Sequence, residues 1–226
     1  MGYDGPVINE DVQYLRRILL HWHPSNFRKF PWRHTDNPYH ILIAELMLRR
    51  TRADQVVPVY DEFIRKYPTP RVLDCADHLQ VAEIVFPLGL AWRVPAFKDV
   101  VRELGEKHDY QVPATREDLI ALPGVGDYVA GAVLSMAFGK REWIVDTNVA
   151  RVFKRHFSLV TIKEARRDKQ IIHLAKEFAD TSRVRDANLA ILDFAAIVCK
   201  ASNPECGDCP LNRTCINFLN SFEKSE

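Results

Sequence analysis

Apolar side chains recur every three to four positions along most of the chain, the spacing of helices with one buried face. Val12, Leu15, Ile18, Leu19 and Trp22 set this rhythm first and predict a helix over 11–22. The polar stretch 23–37, broken by Pro24 and Pro31, predicts a loop. Pro38 suits a first helical turn, and the run 41–48 is apolar around most of its circumference, as in a buried helix. Further helices are predicted over 55–67, 80–85, 94–107 and 116–122, the last capped by Thr115 with Asp118 in its first turn. Gly139 ends a helix over 128–138, Asp146 to Asn148 open another reaching about His156, and two more span 164–180 and 185–198. No segment alternates with period two, and no internal repeat stands out. The expected fold class is all-α.

Composition narrows the class. A chain of 226 residues, 47% hydrophobic and 27% charged, reads as a globular protein of one large or two small domains. No apolar run approaches the roughly 18 residues of a membrane span. The first ten residues lack the basic-then-apolar layout of a signal peptide, so an intracellular location, cytoplasmic or at the nucleoid, is expected. Lys+Arg number 31 against 30 Asp+Glu, which argues against a protein holding nucleic acid by bulk charge. Basic groups are nevertheless clustered: Arg49, Arg50 and Arg52 in one place, and Lys140, Arg141, Arg151, Lys154, Arg155 and His156 in another. Either cluster reads equally as a binding patch or a solvated helix face.

Three motifs carry chemistry. Four of the five cysteines form Cys199-x6-Cys206-x2-Cys209-x5-Cys215, whereas Cys75 stands alone and is expected to be a small buried residue. Four thiols this close, in a chain without an export signal, point to a metal rather than to disulfides. Zinc ribbons present two short Cys-x-x-Cys knuckles. This loop has one, flanked by longer arms, and that favours an iron–sulfur cluster over structural zinc. The second motif, Leu122-Pro123-Gly124-Val125-Gly126 between two helices, predicts a helix–hairpin–helix. Its glycines permit a tight turn, and the following helix start can hold a phosphate. An ordinary turn between packed helices fits the same five residues. In the third, Ile144-Val145-Asp146-Thr147-Asn148-Val149, an acid stands in apolar company. Asp146 is a helix N-cap, a functional carboxylate, or both.

Hairpin, apolar helix, Val-Asp and a 6-2-5 cysteine loop, in that order, resemble the helix–hairpin–helix DNA glycosylases that include endonuclease III. The resemblance runs from about Phe30 to Cys215. It implies a six-helix domain over 30–140 and a second helical domain from 1–29 and 141–226. That second domain would carry the catalytic aspartate and a [4Fe-4S] cluster on Cys199, Cys206, Cys209 and Cys215. Asp146 matches the family's catalytic aspartate, which stabilises the positive charge that grows on the sugar as the base departs. Strand-cleaving members carry an amine-bearing lysine where this chain has Tyr128, so the resemblance implies a monofunctional enzyme. Tyr128 would line the base pocket or brace the water. Glu45, an acid in a buried helix, matches the residue that protonates a departing purine or orders the water.

Adenine-specific members read Gln-Gln-Thr where this chain has Arg49-Arg50-Thr51, and carry a further domain, whereas this sequence ends at Glu226. The closer resemblance is to the thymine and uracil mismatch glycosylases. On that reading Arg50 takes the place of the flipped base and donates to the orphaned guanine, with Arg49 beside it. Leu90 is the apolar wedge. Gly124, Val125, Gly126 and Asn148 complete the expected DNA contacts. The implied partner is double-stranded DNA with a mismatched or damaged base, bound by a monomer at the start of base excision repair. Two alternatives remain: an adenine DNA glycosylase, and a non-catalytic iron–sulfur DNA-binding protein.

Overall fold

The computed structural model describes residues 9–89, 94–161 and 164–222, and among them there is no β-strand. The chain divides into two compact units, one formed by residues 29–140 and the other by residues 1–28 with 141–226. No helix of the described residues is long and apolar enough to cross a membrane. Helix α1 (Asn9–Trp22) belongs to the second of these units.

The unit of residues 29–140 contains α2 (Pro38–Met47), α3 (Ala53–Lys66), α4 (Pro70–Cys75), α5 (His78–Val85), α6 (Val94–His108), α7 (Arg116–Ala121) and α8 (Asp127–Ala137). Four of these starts are set by capping. Asn37 accepts from the backbone N–H groups of Tyr39 and His40, Thr69 from that of Val72, Asp77 from those of Leu79 and Gln80, and Thr115 from that of Asp118. Helix α2 is buried along nearly its whole length and packs on α8 and α3. Phe63 of α3 packs against Phe97 of α6 in the core, the rings tilted by 45°. Lys98 is buried yet fully used: its ammonium donates to the carbonyls of Leu73, Asp74 and Ala76, closing the end of α4. A cation there satisfies orphaned carbonyls and complements the helix dipole.

The other unit contains α1, α9 (Thr147–His156), α10 (Lys169–Ala179), α11 (Val184–Ile197) and α12 (Ile216–Phe222). Helix α1 lies on α10 and α11, and α9 packs on α11 and α12. Leu15, Leu19, Phe153, Phe178 and Phe194 form its centre. Asp193 is wholly buried in α11 (0% exposed). Its oxygens accept from the Arg28 side chain at 2.5 Å and backbone at 3.1 Å, and lie 3.1 Å from His23 Nε2. These bonds tie the segment after α1 to a helix 165 residues away.

The periodicity places most helices within two residues of their observed ends, with four differences. The stretch 164–180 is not one helix: Asp168 caps α10 after a short 3-10 turn at Ala165–Arg167. Helices α4 and α12 are too short to show a period of their own. Cys75, expected to be buried, is exposed because it closes the last turn of α4 at the surface. The second basic cluster is not a continuous surface patch. His156 is buried, Arg141 pairs with Asp180, and Lys140, Arg151 and Arg155 donate to backbone carbonyls.

Candidate active site and nucleic-acid interface

In the unit of residues 29–140 the hairpin joins α7 to α8. Buried Leu122 and Val125 anchor it, and the Val125 N–H donates to the Leu122 carbonyl at 3.1 Å. Gly124 takes φ +75°, a conformation that strains any residue with a Cβ. Gly126 opens α8 with no side chain to cap it, and among the described residues nothing lies within 4 Å of where a Cβ would stand. This leaves an open face over the first turn of an eleven-residue helix, which favours an anion. Arg116 steadies that turn by donating to the carbonyl of Asp127 at 3.1 Å and to its carboxylate at 3.3 Å.

Two further elements meet the hairpin. Tyr128, half-buried, lies in the first turn of α8. Glu45, 5% exposed, sits in α2, which packs directly on α8. Beyond α2 the chain turns sharply: the Thr51 N–H donates to the Leu48 carbonyl, and Arg50 adopts φ +61°. A left-handed arginine is strained, and such strain persists where the surroundings enforce it, often at working sites. The arginines of this cluster have different partners. Arg52 grips Asp54 through two bonds, at 3.2 and 2.8 Å, and Arg49 Nη1 donates to the Gly124 carbonyl at 3.1 Å. Leu90 lies outside the described residues.

In the other unit Asp146 caps α9. Its Oδ1 accepts from the N–H groups of Asn148 at 2.9 Å and Val149 at 2.7 Å, and its Oδ2 accepts from the Asn148 amide at 2.8 Å. Three donors thus fix the orientation of the carboxylate at the N-terminus of α9. Asn148 in turn accepts from Arg151 at 2.8 Å, and Arg151 donates to the Cys199 carbonyl at 3.0 Å. One turn along α9, Arg155 donates to the Cys199 sulfur at 3.6 Å and to the carbonyls of Lys200 and Ala201. Both arginines are thus committed to the cysteine segment, and their spacing of four, which puts them on one face of α9, is the one trace of this in the sequence.

Cys199, Cys206, Cys209 and Cys215 are free thiols lining one pocket with Arg155 and Phe194. Burial pushes the thiols of Cys206 and Cys215 up and that of Cys209 to about 11. Backbone N–H groups of Leu211, Asn217 and Phe218 oppose this by donating to the sulfurs of Cys209 and Cys215. Among the described residues no three His, Cys, Asp or Glu side chains are grouped so as to hold a single metal ion. Asp193, with its His23 and Arg28 partners, escaped the sequence reading. The signal that singled out Glu45, one acid in an apolar helix, was equally present in the run 189–198.

Comparison with known proteins identifies this arrangement. Residues 107–135 match the helix-hairpin-helix motif, which spans the end of α6, all of α7, the hairpin and most of α8. The thymine-DNA glycosylase of Aeropyrum pernix is 36% identical over 214 residues, covering 92% of this chain and 96% of that one. The adenine DNA glycosylase of Buchnera aphidicola is 31% identical over 91% of this chain, which spans 58% of that relative's length. Among solved structures, a thermostable thymine-DNA glycosylase superposes with a TM-score of 0.86 at 32% identity, covering 94% of this chain and 98% of that one. The chain belongs to the helix–hairpin–helix DNA glycosylases, in the family of the thymine-DNA glycosylases.

Proposed function

We propose that this protein is a monofunctional DNA glycosylase that flips thymine or uracil from opposite guanine, hydrolyses its bond to the sugar and so starts base excision repair. The observation that carries the reading is the placement of Asp146. Its carboxylate caps α9 and accepts three hydrogen bonds, which hold both oxygens in place. A fixed negative charge stabilises the sugar as it becomes cationic, and needs no reorganisation as the bond breaks. Glu45, buried in α2, is assigned to ordering the attacking water or handling a proton, and Tyr128 to the wall of the base pocket. Tyr128 has no amine to form a Schiff base, so an intact abasic strand is the product.

On the DNA side, the hairpin holds a phosphate at the start of α8, which positions the enzyme without reading sequence. Arg50 reads the guanine left behind, whose acceptors suit a guanidinium. Flipping costs a few kcal/mol, less at a mispair, so a wobble pair starts with part of the opening cost removed. Uracil lacks only the thymine methyl and fits the same pocket.

The residues present fit an iron–sulfur cluster. Four thiols line one pocket, two receive backbone N–H donors, and the guanidinium of Arg155 lies against a third. Zinc, with Zn–S of about 2.3 Å, draws four sulfurs to roughly 3.8 Å of one another, whereas a cubane taking one thiolate per iron spreads them wider. Once bound, such a cluster would cross-link the four cysteines rather than supply electrons, since hydrolysing a glycosidic bond needs none.

The test is an assay on labelled duplexes carrying G·T, G·U, A·G and adenine opposite oxidised guanine, with and without alkali. Alkali-dependent cleavage of G·T and G·U is expected. Release of adenine alone would move the protein to the purine branch, and tight binding with no release from any duplex would make it a non-catalytic binder.

A further inference from the structure

Arg49 links two parts of the interface that lie 75 residues apart. Its Nη1 donates to the carbonyl of Gly124, and a Cβ at Gly124 would come within 3.5 Å of that same nitrogen. The guanidinium therefore lies along the bare face of the hairpin glycine. At its other end Arg49 is bonded directly to Arg50, whose left-handed backbone fixes the course of the loop. The Arg49 carbonyl also faces the Thr51 hydroxyl, which donates to it at 3.4 Å. Consecutive Cα atoms are about 3.8 Å apart, so pinning Arg49 to the hairpin leaves Arg50 little freedom of position.

We propose that Arg49 is a positioning residue that ties the base-reading loop to the phosphate-holding hairpin. Once the hairpin seats on a phosphate, the carbonyl of Gly124 is fixed, and Arg49 transmits that position to Arg50. A guanidinium suits this work because its N–H fork is planar and directional, whereas a lysine ammonium supplies the charge without the geometry. Displacing a positioned group by about 1 Å can cost a hundredfold in rate. The role thus predicts a loss in the chemical step out of proportion to any loss in holding DNA.

The proposal rests on the reading of the chain as a mismatch glycosylase, and the test separates the two. Single-turnover excision from a G·T duplex and affinity for a matched duplex are measured for wild type, Arg49→Lys, Arg49→Ala, Arg50→Ala and the double alanine variant. Thermal denaturation checks that each is folded. Arg49→Lys and Arg49→Ala should each slow excision about tenfold or more. Matched-duplex affinity should change by less than about threefold in Arg49→Lys, where the charge is kept. In the Arg50→Ala background, removing Arg49 should change the rate by less than about twofold, because it acts through Arg50. Arg49→Lys at the wild-type rate, or alanine effects that multiply, would overturn the positioning role while leaving the glycosylase reading intact. A wild type inactive on both G·T and G·U, yet binding the duplexes, would overturn the reading and the proposal with it.

Discussion

The side-chain amide of Asn148 donates to Oδ2 of Asp146 at 2.8 Å, while the backbone N–H of the same residue donates to Oδ1 at 2.9 Å. Asn148 therefore holds both carboxylate oxygens of the residue that caps its own helix. Capping and catalysis can be separated here. Asparagine caps about as well as aspartate, so Asp146→Asn should change stability by less than about 1 kcal/mol. It removes the fixed negative charge and should slow excision on the order of 10²- to 10³-fold or more. Denaturant titration beside single-turnover kinetics checks both halves. A variant that keeps its rate would leave Asp146 as a cap alone.

Tyr128 gives a prediction about the product. No amine occupies that position in the first turn of α8, so borohydride should trap no enzyme–DNA adduct and strand breaks should appear only after alkali. Tyr128→Phe should leave trapping at background. An adduct that forms in both proteins would mean that another amine attacks the sugar.

What the sequence revealed follows what is local. Pro38, Thr115, Asp146 and Gly139 punctuate helices through neighbours a few residues away, so the element boundaries could be read. The hairpin was legible for the same reason. Pairings across long stretches of chain were not. Nothing near Asp193 announces His23 and Arg28, and nothing near Arg49 announces Gly124. His156 shows the cost most clearly. In a run of Lys154, Arg155 and His156 it reads as one more cation, yet it faces inward on α9 while Lys154 faces solvent. Periodicity could have separated them, since Val149, Val152, Phe153 and His156 fall on one stripe.

The cysteine loop predicts a coloured protein. Purified anaerobically, it should be brown and carry about four irons and four sulfides per chain. A colourless protein with one zinc per chain would replace the cluster by a structural zinc. Chelation that strips the iron should lower the melting temperature, because the bonds that tie Cys199, Cys206, Cys209 and Cys215 together are lost with it.

Arg50 sets stability against function. Its φ of +61° is one that glycine adopts without the Cβ clash. Arg50→Gly should therefore stabilise the free protein by up to about 1 kcal/mol, or at least not destabilise it. The same change removes the donor for the orphaned guanine, so excision from G·T should fall and the preference for guanine over other opposite bases should narrow. Melting curves and rates on duplexes with each opposite base test the pair of effects. Full activity in the glycine variant would remove Arg50 from recognition.

His156 makes stability depend on pH. It is buried at the end of α9 with its ring edge-on to Phe157, and among the described residues its buried Nδ1 has no hydrogen-bond partner. Burial lowers its pKa from 6.5 to about 4, against a smaller opposing pull from Asp11. A base with a depressed folded pKa is neutral in the native state and takes up its proton first in the unfolded chain. Its contribution is therefore complete above about pH 6.5 and is lost as pH falls towards 4. The loss approaches about 3 kcal/mol at the bottom of that window. His156→Phe should flatten the slope of unfolding free energy between pH 6.5 and 4, measured by urea titration at fixed salt. An unchanged slope would mean that other groups carry the acid sensitivity and that His156 takes up its proton in place.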